Sequence, residues 1–362
     1  MRIGKAGLVF LTLGLALVFT GCEREQAPSN SPAGGPGTVN WKMASTFSGT
    51  LPVIGTSGPY FSEKVERLSR GRLAIKFYDP GKLVPALEVF DAVSKGSVDA
   101  GWSTAGYWIG KIPAVAFFTA VPFGPDTSEY LTWMYYGGGW DLWKEIYARH
   151  NIMPIPCSLI PPEASGWFRA PIKSVDQLKG MKIRFFGLGG QAMQKIGASV
   201  QLLAGGDIFP ALERGVLDAT EFSLPSIDEQ LGFHKVAKYY YFPGWHQQSS
   251  INELLINLDR WKSLDAVDQE FLETVCRDVI VRNVTQGEFQ QIDALKRIKN
   301  EGVTLNYWPT EILTEFKKAW ESVIAESSAA DPEFKRVYES YKSFREQYSE
   351  WAKLSRLPDA VK

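Results

Sequence analysis

Histidine and cysteine are scarce in this sequence, and neither charge is in excess. Its 362 residues include three histidines and three cysteines, and 39 basic residues balance 40 acidic ones. The histidines are His150, His234 and His246, and their spacing fits neither a metal site nor a base beside a nucleophile. We expect them to be ordinary surface or structural groups. With no Gly-x-Ser-x-Gly elbow and no P-loop, the sequence does not indicate a hydrolase or a nucleotide-dependent enzyme.

Two further absences limit the partners and the covalent framework. No block of lysine and arginine occurs, so the electrostatic signature of nucleic-acid binding is missing and we expect no such partner. Beyond the N-terminus only Cys157 and Cys276 remain. That count allows one disulfide but not a disulfide framework, which a body of this size does not need. We expect two isolated thiols.

The N-terminus has the pattern of a secretory signal. Arg2 and Lys5 precede an uncharged apolar run over residues 6–19, shorter than the roughly 20 residues of a membrane span. Thr20 and Gly21 then lead to Cys22. Residues 22–38 are rich in proline, glycine, serine and charge, which is typical of a flexible tether. We therefore predict a signal peptide over residues 1–21, an exported protein and a folded body from residue 39.

The residues before Cys22 resemble a bacterial lipoprotein cleavage box. In such proteins the cysteine thiol carries diacylglycerol, which would hold this protein at the membrane, in the periplasm or on the cell surface. Phe19 departs from the leucine usually found three residues before that cysteine.

Short strand-like segments alternate with amphipathic segments of helix length, which predicts an α/β fold with mostly parallel sheets. The predicted strands are Val39 to Ala44, Leu73 to Tyr78, Ile152 to Pro156, Lys182 to Phe185, Ser199 to Leu202 and Tyr239 to Phe242. The last third is instead helical in pattern, over residues 265–300, 310–327 and 332–354.

One sequence pattern occurs twice. Pro-Ala-Leu-Glu begins at Pro85 and at Pro210, and each copy leads to a glycine, Gly96 or Gly215, that is followed by a short apolar segment. Glycine suits the left-handed position that ends a helix. Helix, glycine and strand recur in many α/β proteins, so coincidence is the alternative. If the repeat is real, two similar lobes face each other, and a ligand would lie beyond the strand ends, near residues 102–107 and 221–223.

Arg184 is the best candidate for binding an anion. The strand and glycine-rich turn over residues 182–190 lack the Gly-x-Gly-x-x-Gly spacing of a dinucleotide site. Alternation along this strand places Ile183 and Phe185 on one face and Arg184 on the other. A planar guanidinium forms two parallel charge-assisted hydrogen bonds with a carboxylate. The alternative is an arginine paired with a structural Asp or Glu.

Several segments together resemble the solute-binding subunits (DctP-type) of tripartite ATP-independent periplasmic (TRAP) transporters, in particular the branch of 2-oxo-acid and lactate receptors. The segments cover residues 166–169, 178–184, 211–222, 228–233 and 239–245, and the similarity extends over the body from Val39. The resemblance implies a two-lobed, class II-like periplasmic-binding-protein fold with hinge strands and a long C-terminal helix. It also implies a receptor that delivers a 2-oxo or 2-hydroxy acid to a membrane permease.

The resemblance assigns roles to individual residues. Arg184 corresponds to the arginine that holds the substrate carboxylate. A cation bridges protein and substrate in this branch, and its ligands correspond here to Glu163, Glu221, the carbonyl group of Phe222, and Gln247. Glu163 and Gln247 replace a glutamine and a glutamate of the branch, and Phe222 replaces a tryptophan. The donors are still oxygen atoms, which suits sodium or calcium. The alternative is that Glu163 pairs with an arginine such as Arg169 and that no metal binds.

Two aromatic residues are candidates for the wall of the cleft. Tyr107 and Trp108 are expected to line the cleft, with core packing as the alternative.

Aromatic side chains follow one face of a C-terminal helix within residues 329–362. In the branch such a helix is exchanged between two subunits, which implies a dimer; packing against its own body is the alternative.

The resemblance also implies a division of the chain. The first lobe would comprise residues 39–160 and 251–290, and the second residues 161–250 and 291–328. The functional alternatives are a receptor for sugar acids or polyols, an extracytoplasmic sensor subunit and, without support from any catalytic constellation, an extracytoplasmic enzyme.

Overall fold

The computed structural model describes residues 38–357, which form two β-sheets surrounded by helices. The predicted signal peptide, Cys22 and nearly all of the predicted tether lie outside this range. The strands are β1 (Val39–Ser45), β2 (Leu73–Tyr78), β3 (Ala100–Ser103), β4 (Ile152–Ile160), β5 (Gly166–Phe168), β6 (Lys182–Arg184), β7 (Ser199–Gln201), β8 (Ala219–Thr220), β9 (Tyr239–Phe242), β10 (Ser250–Asn257) and β11 (Thr304–Tyr307).

Helices cover both sheets and account for most of the last third of the chain. They are α1 (Ser57–Leu68), α2 (Val89–Ser94), α3 (Thr127–Tyr136), α4 (Gly139–Ala148), α5 (Gly187–Ile196), α6 (Gly205–Glu213), α7 (Pro225–Leu231), α8 (Leu258–Lys262), α9 (Ala266–Asn300), α10 (Thr310–Ala330) and α11 (Pro332–Ser355). No helix within residues 38–357 is long and apolar enough to cross a membrane.

The sheets define two lobes. The first lobe is built on the five-stranded sheet, in the order β2-β1-β3-β10-β4, and the second on the six-stranded sheet, in the order β11-β9-β5-β8-β6-β7. Strand β10 is antiparallel to β3 and β4, and β5 is antiparallel to β8 and β9. The other pairings are parallel. The antiparallel strands adjoin two short segments, residues 161–165 and 243–249, in which the chain crosses between the sheets; residues 258–303, which include α9, make a third crossing from β10 to β11.

The repeated sequence pattern occupies equivalent places in the two lobes. Gly96 and Gly215 have nearly equal positive φ angles, 71° and 72°. After each glycine, an aspartate side chain accepts a hydrogen bond of 2.9 Å from the backbone N of a lysine in the neighbouring strand. The pairs are Lys42 with Asp99 and Lys182 with Asp218. The same geometry leads into β3 in the first lobe and β8 in the second, so the repeat is structural.

Helix α9 is the longest element and is continuous for 35 residues. Asp265 caps its first turn by accepting from the backbone N of Asp268 at 2.8 Å. The helix packs on β4 and α1 of the first lobe and on α7 of the second. The predicted domain bounds stay predictions, and the one between residues 290 and 291 falls inside this helix.

The expectation of two isolated thiols is wrong. Cys157 in β4 and Cys276 in α9 form a disulfide, with their Cα atoms 4.2 Å apart. Both side chains are buried, because α9 lies along β4. The two residues are 119 positions apart in the sequence. Their pairing depends on this helix-on-strand packing, which a cysteine count does not reveal.

The C-terminal helix α11 packs against its own chain along its first half. Phe334, Val337 and Tyr341 are buried. The Phe334 ring lies 4.8 Å from that of Phe117 in the first lobe. Towards the end of the helix Trp351 and Leu354 are exposed instead, at 63% and 78%. Only one end of the aromatic face is therefore covered within the chain.

Candidate functional site

A small cavity lies where the two lobes meet, beyond the ends of β3, β6 and β8. It encloses about 30 Å³. The lining residues are Phe47, Ile54, Thr104, Tyr107, Ile160, Arg184, Phe186, Phe222, Ser223, Gln247, Ser250 and Asn252. They come from both lobes and from the crossing segment before β10. This is the place that the strand-end argument predicts for a ligand.

Arg184, the last residue of β6, is 1% exposed and forms a buried ion pair. Its Nη1 donates to Oε2 of Glu221 at 2.9 Å and to the Glu221 carbonyl at 2.8 Å. The guanidinium carbon lies 5.0 Å from the ring centre of Phe222 and 5.9 Å from that of Phe186. A structural carboxylate therefore does hold Arg184, and this pairing fixes the guanidinium beside the cavity.

Oxygen-bearing side chains meet next to this ion pair. Glu163, in the first crossing segment, accepts a hydrogen bond of 2.6 Å from Gln247 and lies 2.8 Å from Nε2 of His246. His246 Nε2 is also 3.4 Å from Oε1 of Glu221. One donor atom each from Glu163, Glu221 and His246 lie within 4.8 Å of one another, and all three residues are buried.

The charges in this cluster influence one another strongly. Burial raises the pKa of Glu163 to about 8. Burial opposes protonation of His246, but hydrogen bonds to Glu163 and Glu221 outweigh it and raise the pKa of His246 to about 9. Burial also disfavours ionised Glu221, yet Arg184 and His246 lower its pKa. The pKa shifts thus favour the ionised form of Glu221, the neutral form of Glu163 and the protonated form of His246.

The donor set fits an oxygen-bound cation. Oε1 of Glu221 is buried and makes no well-formed hydrogen bond among the described residues; its contact with His246 is a longer ion pair of 3.4 Å, so the atom keeps the capacity to bind a cation. The carboxylates of Glu163 and Glu221 with the Gln247 amide supply hard oxygen ligands. An imidazolium proton on His246 and a metal ion would compete for the same two carboxylates.

The structure brings most of the residues singled out from the sequence to one place. Arg184, Tyr107, Phe222 and Gln247 line the cavity, and Glu163 and Glu221 lie directly behind it. Trp108 does not line it. The Trp108 indole packs on Phe90 in the first lobe, with ring centres 5.3 Å apart, and donates to Glu253 at 2.8 Å.

The geometry also excludes one pairing that was held as an alternative and corrects one expectation. Arg169 does not pair with Glu163; it donates instead to the backbone carbonyls of Leu212 and Val236. His246 is not an ordinary surface or isolated group, because it is 1% exposed and contacts both carboxylates. Its position directly before Gln247 is the one sequence signal that could have identified it. Phe186 and Asn252 also line the cavity, without any signal of comparable strength.

Comparison with known proteins identifies the family. Residues 45–331 match the model of the family described as DctP, bacterial extracellular solute-binding protein, family 7. The chain belongs to this family. It is a TRAP transporter solute-binding receptor, and it is exported as such receptors are.

Named relatives and solved structures agree with this assignment. A monocarboxylate 2-oxoacid-binding periplasmic protein of Nostoc sp. is 36% identical over 332 residues, which cover 92% of this chain and 91% of that protein. A TRAP solute-binding protein of Bordetella bronchiseptica is 33% identical, with a TM-score of 0.86 over 88% of this chain and 95% of that one. It is described as a mixed-occupancy dimer with copurified calcium and picolinate in the active site, against an apo site.

A third comparison concerns a protein with a smaller ligand. A TRAP periplasmic solute-binding protein of Pseudoalteromonas atlantica, with bound sodium and pyruvate, is 33% identical, with a TM-score of 0.84. The match covers 88% of this chain and 97% of that chain.

Behind the cavity wall of the receptor lies a buried carboxyl group. Glu253 in β10 follows the cavity residue Asn252 and is fully buried in the first lobe. It accepts hydrogen bonds from Trp108 at 2.8 Å and from the Tyr147 hydroxyl at 3.0 Å. Burial outweighs these two donors and raises its pKa from 4.5 to about 8. Glu253 thereby fixes Trp108, which directly follows Tyr107 of the cavity wall.

We expect Glu253→Gln to remove part of the pH dependence of stability. In the unfolded chain this carboxyl ionises near pH 4.5, whereas in the fold it holds its proton up to about pH 8. Its contribution to stability is complete at low pH and is lost as pH rises through that window. Relative to the variant, the parent's free energy of unfolding should fall by up to about 1.4 kcal/mol per pH unit.

Urea unfolding at several pH values measures this difference, and Glu270→Gln, at an exposed glutamate of α9, serves as the control. Parallel pH curves for the parent and Glu253→Gln would contradict a neutral buried carboxyl.

Proposed function

We propose that this receptor binds a small 2-oxo or 2-hydroxy monocarboxylate in the cavity between its lobes and delivers it to the membrane permease of a TRAP transporter. The observation that carries the proposal is the guanidinium of Arg184, buried at the cavity beside the carboxylates of Glu163 and Glu221. A cation at those carboxylates and the guanidinium together suit a ligand with a carboxylate next to a second donor atom.

The ligands of two relatives support this class. Pyruvate carries a carbonyl oxygen next to its carboxylate, and picolinate carries a ring nitrogen in the same position. Each can therefore chelate a metal ion through two adjacent donors. The polar residues Thr104, Ser223 and Asn252 line the same small cavity as Phe47 and Ile160. We propose that the apolar walls receive a short side chain and that the polar groups orient the 2-oxo or 2-hydroxy group.

The proposed cation is sodium or calcium, bound by Glu163, Glu221, the Phe222 carbonyl and Gln247. Oxygen ligands from two carboxylates match the preference of these ions. When bound, the cation would supply positive charge to the ligand oxygens. The protein residues orient that ion, hold Arg184 against Glu221 and exclude water, since all of them are buried.

We expect substitution of Arg184 to abolish binding of the acid. Removing one member of a buried ion pair is destabilising by about 3–5 kcal/mol, so Arg184→Lys, which keeps the charge but lacks the planar fork, is preferable to alanine. Thermal unfolding is measured with pyruvate, longer 2-oxo acids, lactate, sugar acids and polyols. A ligand at a hundredfold excess over its Kd stabilises the parent by about 2.7 kcal/mol.

The control is Arg169→Ala, because Arg169 lies in the same lobe but contacts only backbone carbonyls. A folded Arg184→Lys protein that binds the acid as tightly as the parent would disprove the proposed role. Stabilisation by sugar acids or polyols, and not by 2-oxo acids, would favour the alternative ligand class.

Binding of the acid should depend on the cation. In calorimetric titrations with pyruvate, affinity is expected to be lost in sodium-free buffer with chelator and restored by calcium or sodium chloride. Glu163→Ala should weaken binding by at least about tenfold, since even outer-shell partners of a metal contribute that much. Glu270→Ala is the control. Equal affinity with and without cations would show that Arg184 binds the acid alone.

We further propose that two subunits associate through α11. Beside this helix lies a cavity of about 820 Å³ lined in part by Trp320, Tyr341 and Leu357. Trp351, Leu354 and Leu357 are exposed at its end. These apolar side chains suit the same face of a second copy, because exposed apolar clusters are uncommon on monomers.

Sedimentation of the parent should therefore give twice the mass of one chain, and Trp351→Ala/Leu354→Ala should shift the equilibrium to monomer. Glu350→Ala, on an exposed position outside the cavity, should not. A monomeric parent at micromolar concentration would reject the dimer.

The proposal includes a membrane anchor at the N-terminus. Cys22 would carry diacylglycerol and tether the receptor to the membrane; the support is that the residues before it resemble a lipoprotein cleavage box.

The receptor would release the acid unchanged, because the groups at the cavity are engaged in binding and none is a nucleophile paired with a base. A sensor role, in which bound ligand is presented to a kinase, remains the second candidate on the same site.

A further inference from the structure

One glycine of the first lobe makes an unusually close contact with the second lobe. Gly106 lies in the 3-10 turn Ala105–Tyr107, directly after β3. A Cβ atom built on Gly106 would lie 2.0 Å from Cζ of Phe186 and 2.6 Å from both of its Cε atoms. These are the three nearest heavy atoms to that Cβ, and all belong to Phe186 in the other lobe. Carbon atoms cannot approach so closely.

The Phe186 ring has little freedom to move away. Its backbone N donates to Oε2 of Glu221 at 3.0 Å, which fixes the start of α5. The ring lies edge-on to Tyr107 at 5.3 Å and near the Arg184 guanidinium at 5.9 Å. Phe186 is 7% exposed, so it is enclosed on most sides. A side chain at residue 106 would therefore push the lobes apart and not merely turn the ring.

Within its own lobe, Gly106 has no such restriction. It is not among the residues with positive φ, so an alanine can adopt its backbone conformation. Gly205 provides the contrast. A Cβ there would lie 2.6 Å from Phe222, and both of those residues belong to the second lobe. A substitution at Gly205 would disturb the lobe itself, whereas one at Gly106 disturbs only the contact between lobes.

We infer that Gly106 and Phe186 form a steric gate for lobe closure, in which the missing side chain at residue 106 allows the lobes to close over the ligand. The inference rests on the proposed ligand-binding function. Gly106 is a positioning residue: it lets Phe186 reach the wall of the cavity beside Tyr107 and Arg184. A residue with a side chain there would leave both lobes folded and the open form accessible, but would raise the free energy of the closed form.

The effect on affinity follows from the population of the closed form. If only the closed form binds tightly, the apparent Kd rises by the factor by which that form is depleted. We expect Gly106→Ala to weaken binding of pyruvate, measured with calcium chloride present, by at least about tenfold. The melting temperature without ligand should stay that of the parent.

The experiment uses a matched control and a rescue. Gly110→Ala is the control, because a Cβ there would meet nothing within 4 Å and the residue lies four positions along the same segment. The rescue is Gly106→Ala/Phe186→Ala, compared with Phe186→Ala alone, because removal of the ring removes the clash. Calorimetry gives the affinity, and small-angle X-ray scattering gives the radius of gyration with and without pyruvate.

We expect the parent and Gly110→Ala to become more compact on binding, Gly106→Ala to stay extended, and the glycine substitution to have little effect in the Phe186→Ala background. Closure and affinity of Gly106→Ala equal to those of the parent would overturn the inference while leaving the proposed function intact. A lowered melting temperature of free Gly106→Ala, or an equal loss in the Phe186→Ala background, would also overturn it.

The inference can be tested even if the parent binds no acid. That result would reject the proposed function, and scattering of the free proteins would then decide. A free parent more compact than free Gly106→Ala would support the gate, and a free Gly106→Ala protein more compact than the parent would reject it.

Discussion

Arg184 and Glu221 face each other with side chains that are 1% and 0% exposed, and the arrangement of the cleft depends on this pair. Two charges removed from water need each other, because either one alone would be buried at high cost. The pair also determines the position of neighbouring groups. Glu221 also accepts from the backbone N of Phe186, which sets where α5 begins and where the Phe186 ring meets the first lobe. One ion pair thus places the guanidinium beside the cavity, a candidate cation ligand and the contact between lobes.

The other candidate oxygen ligands lie in the two short crossing segments. Glu163 follows β4 and Gln247 precedes β10, and the segments are joined where Gly244 N donates to the Glu163 carbonyl at 2.9 Å. A Cβ on Gly244 would lie 2.5 Å from that carbonyl oxygen, so only glycine allows this approach. Since these segments connect the lobes, a change in lobe angle would also change the distances among the candidate ligand oxygens. The proposed cation binding and lobe closure would therefore be coupled through the covalent chain.

A rigid support lies under the first crossing segment. Helix α9 is joined to β4 by the Cys157–Cys276 disulfide, and the buried Asn283 of α9 hydrogen-bonds Ser158 of β4 and Ser57 of α1. A disulfide of this kind is usual in exported proteins, where the surroundings are oxidising. Movement between the lobes is therefore expected in the short segments beyond β4 and before β10, and not within the first lobe, because the strand preceding Glu163 is covalently fixed to the helix.

The sequence alone determined the local structure, the class of fold and most of the residues that meet at the candidate site. Strands such as Leu73–Tyr78 and Tyr239–Phe242, the helix stops at Gly96 and Gly215, and the strand-end position of Arg184 follow from periodicity and residue type, which act over a few neighbours. Family resemblance added Glu163, Glu221, Phe222 and Gln247. Only the tertiary structure decided that His246 contacts both carboxylates, that Trp108 belongs to the core, that the two cysteines pair and that Gly106 contacts Phe186. Each of these depends on residues brought together across lobes or elements, and no local pattern encodes such a distance.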